Sequence, residues 1–386
     1  MPFYHKLGEI PHKRHTQFTK PDGGLYREEL LGQRGFSGIQ STLYHLYHPT
    51  SLKSAKVIQN ERVETVTESS PLQPMHLLAA DFKSSGDPIT SRTWLMANQD
   101  LKLGLATPTE KMNYLFRNSD CDELLFVHWG TGKLRSNFGN LNYRAGDYIV
   151  IPVGTTYCID VEQETRFLCL EAPSRIEVPR RYRNEYGQLL ENSPFCERDM
   201  RIPQELETHD EKGEFEVRVK TGDKLTGLIL DHHPLDTVGW DGFVYPYIFN
   251  IEDFEPITGR IHQPPPVHQT FEGGRFVVCS FCPRLFDYHP LSIPVPYNHS
   301  NVNSSEVLYY VEGDFMSRTG VQRGAFTLHP AGIPHGPHPG TVESSLGTKV
   351  TEELAVMVDT FAPLQLTKAG ATLMDSSYLT SWLGGS

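Results

Sequence analysis

The feature that most restricts this chain is a pattern it carries twice. The segment AGDYIVIPVGTTY (145–157) can be laid over RGAFTLHPAGIPH (323–335). In the first, Gly146 is followed by Pro152, Gly154 and Tyr157; in the second, Gly324 is followed by Pro330, Gly332 and His335. The offsets are the same in both. Upstream, Glu123 stands seven residues before Gly130, and Glu306 stands seven before Gly313. Each half therefore reads as strand, glycine turn, strand, and then a Pro-x-Gly turn. Glycine permits turn conformations that bulky residues resist, and a Pro-x-Gly turn brings the side chain after it back over the sheet. In a small barrel alternate side chains point inward, so residues from several strands can meet at one interior point.

The remaining composition is compatible with two such units. A chain of 386 residues is long enough for two domains or one large duplication. Hydrophobic residues make up 38% and aromatics 11%, which fits a globular protein. Gly 32 and Pro 28, with abundant Val, Ile, Tyr and Phe, favour short strands and tight turns. We expect an all-β dominated chain with residues 1–245 as a first domain and 246–386 as a second. The stretch 171–188 reads as a connection after the first barrel, 232–243 as a lead into the second half, and the acidic run 205–216 as a solvated loop or edge.

The formal net charge of −12 argues against a nucleic-acid surface, which needs a basic face. It leaves small molecules and metals open. No stretch reaches the roughly 18 apolar residues of a membrane helix, and the N-terminus has no apolar run of signal-peptide length. The expectation is a cytoplasmic protein with no membrane partner. Six scattered cysteines are too few to staple a chain of this size. Cys279 and Cys282 have zinc or redox spacing, but they sit in RFVVCSFCPRLF, which reads as a strand.

The spacings resemble the two motifs of the cupin superfamily, Gly-x5-His-x-His-x3–4-Glu-x6-Gly and Gly-x5-Pro-x-Gly-x2-His-x3-Asn. In the later half His299 takes the first histidine place, Asn301 the second and Glu306 the acid. Gly324, Pro330, Gly332 and His335 complete the second motif without its final Asn. In the earlier half Phe116, Asn118 and Tyr157 stand where histidines would, and only Glu123 survives. The resemblance implies a bicupin, a pair of double-stranded β-helices, with a degenerate first barrel and a metal-binding second barrel. His299, Glu306 and His335 would be the metal ligands. Two imidazoles and one carboxylate leave coordination positions open, as in non-heme Fe(II) oxygenases, whereas a structural zinc site is closed and usually uses cysteine.

Over most of its length the chain resembles the homogentisate 1,2-dioxygenase family. The likeness runs through GLYREELLGQRGF (24–36), STLYHLYHP (41–49), VCSFCPRLF (278–286), VPYNHSN (295–301), SSEV (304–307) and LHPAGIPHGP (328–337). It implies an Fe(II) enzyme that opens a hydroxylated aromatic ring with O2, converting homogentisate to maleylacetoacetate in tyrosine and phenylalanine catabolism. It places the catalytic base at His262, in the Pro-rich GRIHQPPPVHQTF. It places substrate contacts at His329 and His335, and it implies a homo-oligomer. One departure concerns specificity. Where the family commonly carries the Tyr that grips the substrate's carboxylate, this chain has Phe315; Tyr310, which shares strand parity with Glu306, is the candidate substitute. His268 and His338 read as turn histidines. Rival readings are a cupin oxygenase for gentisate or another hydroxylated aromatic, a sugar-phosphate isomerase, and a non-catalytic metal-binding bicupin. The isomerase would need a basic phosphate grip that the motifs lack, and a non-catalytic cupin would be expected to lose its ligands in both halves.

Overall fold

The computed structural model describes residues 3–60, 62–66, 71–313, 315 and 320–383. Nearly all regular structure is strand. The two α-helices among the described residues, Thr341–Ser345 and Lys368–Thr372, are five residues each. No described helix is long and apolar enough to cross a membrane.

The duplication seen in the sequence reappears as strand order. In the first half Asp147–Ile151, Asp122–Trp129, Arg166–Ala172 and Lys102–Ala106 are consecutive neighbours within an eight-stranded sheet. In the second half Phe326–His329, Ser305–Glu312, Leu354–Thr360 and Phe276–Phe281 follow the same order within a six-stranded sheet. The paired glycines also share backbone angles. Gly130 and Gly313 have φ of +99° and +102°, and Gly154 and Gly332 have +88° and +90°. At Gly313 an added Cβ would lie 2.4 Å from the Glu352 carbonyl oxygen, so both conformation and space demand glycine there.

The alternation of side chains along these strands builds two separate interiors. Leu125, Val127, Ile149 and Phe167 face into the first barrel, where they meet Leu134, Tyr157 and Ile159 of a seven-stranded sheet. Leu124, Phe126, Tyr148 and Leu168 point the other way and join a larger core with Val307, Tyr309, Val356 and Val358 of the second half. Asp122–Trp129 therefore reads as a continuous buried run, because both faces of its sheet are covered. The second-half sheet keeps its opposite face, with Glu306, Leu308 and Tyr310, for a cavity.

Strand pairing crosses the expected 245/246 division in four strand pairs, one of them Met200–Arg201 with Tyr247–Asn250. Tyr247–Asn250 pairs with Asp147–Ile151 of the first sheet. Met75–Leu77 pairs with Phe326–His329 of the second, and Gln365–Leu366 returns to Thr93–Ala97 of the first. The stretch 232–243, read as a lead into the second half, instead contributes Thr237–Gly242 to a four-stranded sheet. There it lies between His5–Gly8 and Gln40–His45. All six cysteines are free, and Cys279 and Cys282 are buried thiols.

Candidate metal centre

Glu306 is the second residue of Ser305–Glu312 and points into the second barrel. His299 and His335 come from irregular segments that meet in an isolated antiparallel bridge. The His299 N–H donates to the His335 carbonyl at 2.9 Å, and the His335 N–H donates back at 2.9 Å. This reciprocal pair holds the two imidazoles together, with ring centroids 4.3 Å apart. The three donor groups lie within 4.8 Å of one another. His299 Nε2 is 3.7 Å and His335 Nε2 is 3.6 Å from Glu306 Oε2.

Local hydrogen bonds choose which ring nitrogen faces the centre. His299 Nδ1 lies 3.2 Å from the Tyr297 carbonyl and His335 Nδ1 lies 3.2 Å from the Ile333 carbonyl. A carbonyl only accepts, so each Nδ1 carries the proton and each Nε2 presents a lone pair. His335 Nε2 is buried and has no hydrogen-bond partner among the described residues. A buried lone pair with nothing to accept from, beside a second lone pair and a carboxylate, suits a divalent cation. Burial opposes ionisation of Glu306, but the imidazoles of His299, His329 and His335 outweigh it and hold the carboxyl well below its usual range. His299 is shifted upward, first by Glu306 and against burial.

His329 is one layer further back. It is cross-strand neighbour to Glu306, is 1% exposed, and its Nδ1–H donates to Glu306 Oε1 at 3.0 Å. Its ring stacks on His335 at 4.6 Å. His262 stands on the cavity wall, 5.0 Å from the Tyr297 ring, with Nδ1 3.9 Å from Asp287 Oδ2. Tyr310 and Phe315 both line the cavity and meet edge to face at 4.5 Å, and the Tyr310 hydroxyl is 2.8 Å from Thr327 Oγ1. The cavity measures about 750 Å3, a size suited to a small organic molecule. His338 instead stacks on Trp382 at 4.1 Å.

Sequence reasoning missed Asp359. It is the other cross-strand neighbour of Glu306. It lines the cavity, with Oδ1 buried and without a hydrogen-bond partner among the described residues. Burial and then the Glu306 charge raise its pKa to about 7. The signal was present in LAVMVDT: Val356 and Val358 face the shared core while Ala355, Met357 and Asp359 face the cavity. An acid on that inward face needs a reason.

The first barrel answers the same electrostatic problem differently. Glu123 is fully buried between its cross-strand neighbours Ile151 and Glu171. Arg92 ion-pairs with it and reaches Glu171 at 3.6 Å and the Tyr157 hydroxyl at 3.1 Å. Tyr157, in the place of His335, donates to Glu123 at 2.8 Å. Lys102 and Lys220 add contacts to Glu171 at 3.1 and 3.3 Å. An internal guanidinium fills the position that the donor set of the second barrel leaves to a metal. The ion pairs of Glu306 among the described residues, by contrast, are all with histidines.

Two fused barrels with this strand order, one closed by an internal arginine and one gathering two imidazoles and a carboxylate around one point, define a bicupin. The chain belongs to the homogentisate 1,2-dioxygenase family. The family's N-terminal model matches residues 41–251 and its C-terminal model matches residues 272–385. A protein of Saccharolobus solfataricus that carries a provisional dioxygenase name is 42% identical over 99% of both chains. The homogentisate 1,2-dioxygenase of Homo sapiens is 27% identical over 97% of this chain and 91% of its own. That of Bradyrhizobium diazoefficiens is 24% identical over 97% of this chain and 80% of its own. Among solved structures, a cupin barrel protein from Leptotrichia buccalis covers 78% of this chain and 99% of its own, with a TM-score of 0.33 and 9% identity. The assignment rests on the strand pairing and the family models.

Proposed function

We propose that the protein is an Fe(II)-dependent ring-cleaving dioxygenase that converts homogentisate and O2 to maleylacetoacetate, retaining both oxygen atoms in the product. The observation that carries this reading is the convergence of His299, Glu306 and His335 within 4.8 Å of one another, beside a cavity that His299 and Glu306 line, in a member of a dioxygenase family. Iron held by these three side chains would supply Lewis acidity and a place for dioxygen beside the ring.

The rest falls to the chain's own residues. Burial, and the charges of Arg284 and His299, keep the His262 pKa below its ordinary value against the pull of Asp287. A neutral imidazole on the cavity wall can take the proton of a ring hydroxyl and so enrich the ring. His329 acts on the substrate through Glu306, whose carboxylate it steadies from behind. Leu308, Phe281 and Phe315 line the walls and keep water from the ring.

The test is purification with metal analysis, anaerobic Fe(II) loading, and O2 uptake with homogentisate and gentisate side by side. Stoichiometric iron and preference for homogentisate are expected; a clear preference for gentisate would reject the substrate, and no uptake with either would reject the activity. His262→Ala should lower turnover by about 10²–10⁴-fold with iron content unchanged. Normal turnover in that variant would remove His262 from the mechanism.

A further inference from the structure

Two side chains on the cavity wall, His268 and Arg284, have no direct contact role with substrate in the mechanism above. His268 closes the short turn Pro265–His268 and is 5% exposed. Its ring lies 4.7 Å from that of Phe281, and its Nδ1 is buried without a hydrogen-bond partner among the described residues. Burial, then the neighbouring charges of Arg284 and His262, push its pKa down to about 3. The imidazole is therefore neutral and has one N–H to donate. Arg284 belongs to the short strand Arg284–Leu285, which pairs with Val350–Thr351. Its guanidinium sits 5.9 Å from the Phe281 ring and 5.9 Å from the Phe286 ring. It donates to the Cys282 carbonyl at 3.3 Å, and no described carboxylate comes within 4.0 Å of it. Asp287 and Glu353 share the wall and influence its charge only at longer range.

A guanidinium has five N–H donors in a fork that matches a carboxylate. Arg284 is half-buried, spends one on a long backbone bond and has no described carboxylate in contact to take the others. Beside it stands a neutral imidazole with one N–H to donate, and between them an aromatic ring. We propose that Arg284 and His268 form an anion seat, in which the carboxylate of an aromatic-acid substrate accepts from the guanidinium and from the His268 imidazole N–H while the substrate packs on Phe281. This rests on the ring-cleavage reading for its substrate class and locates the acidic end of that substrate away from the three metal-binding side chains. Tyr310, already hydrogen-bonded to Thr327, is then not needed to hold the carboxylate.

The experiment compares equilibrium binding of 2,5-dihydroxyphenylacetate and its primary amide to the full chain, Fe(II)-loaded and kept anaerobic, by calorimetry. The amide keeps the ring hydroxyls and loses only the charge. The wild-type protein is expected to prefer the acid by about tenfold or more, the range of a charge-assisted pair. Arg284→Leu should abolish that preference without weakening the amide, Arg284→Lys should keep part of it, and His268→Phe should reduce it several-fold. Arg284→Gln serves as the charge-loss variant if the leucine protein does not fold, with iron content as the check on the metal site. A wild-type protein indifferent to acid and amide overturns the proposal, and so does an acid preference that survives loss of the Arg284 charge. O2 uptake separates the two readings: acid preference lost with Arg284 but no ring opening in the wild type keeps the seat and rejects the dioxygenase, and the reverse result rejects only the seat.

Discussion

A carboxylate buried among apolar strands needs a cation, and in the first barrel Glu123 has Arg92. Arg92→Met would leave Glu123 uncompensated and is expected to cost about 3–5 kcal/mol in urea denaturation. Adding Glu123→Gln should restore part of that loss, because the amide does not need the charge; a neutral Arg92→Met would show the pair to be dispensable. His45 presents the opposite case, a buried imidazole with Nδ1 2.7 Å from Asp236 and Nε2 3.0 Å from Glu29. Burial opposes its protonation, but the two carboxylates prevail and raise its pKa to about 9 from 6.5. The folded state binds this proton more tightly than the unfolded chain does, so the stabilisation is complete below pH 6.5 and fades as pH rises through about 9. At ~1.4 kcal/mol per pKa unit, wild type should lose on the order of 3 kcal/mol relative to His45→Gln across that window. Denaturation midpoints that run parallel for the two proteins from pH 6 to 9.5 would contradict this.

At the level of elements, what could be read from the sequence was whatever obeys a short period or a fixed offset. The doubled offsets located both carboxylates, both Pro-x-Gly turns and His335. Strand alternation in SEVLYYVE put Glu306 and Tyr310 on one face, and both do line the cavity. What was not legible depends on packing between segments far apart in the chain. Arg92 precedes the strand Thr93–Ala97 and finds Glu123, 31 residues later, only because two sheets fold around it. His268 and Arg284 belong to short or irregular pieces with no period to follow. Met75–Leu77 is three residues long, and nothing local in it announces a partner some 250 residues away. Asp359 was within reach, since alternation alone turns it toward the cavity.

For the whole molecule, we propose residues 1–245 as the supporting unit and 246–386 as the catalytic one, with neither complete alone. A fragment spanning 246–386 lacks Met75–Leu77, the edge partner of Phe326–His329, and bares Val307, Tyr309, Phe326 and Val356 to water. Exposing that many large apolar side chains exceeds what a domain of this size can tolerate. Such a fragment is expected to be insoluble or to unfold without a cooperative transition; a soluble fragment that melts cooperatively and binds Fe(II) would show the second barrel to be autonomous. The shared wall has one more implication. Val307 and Tyr309, on the other face of the strand that carries Glu306, share one core with Phe126 and Leu124 of the barrel that an arginine closes. That barrel is a buttress, and slack introduced at Phe126 would reach the chemistry as a carboxylate no longer held in aim.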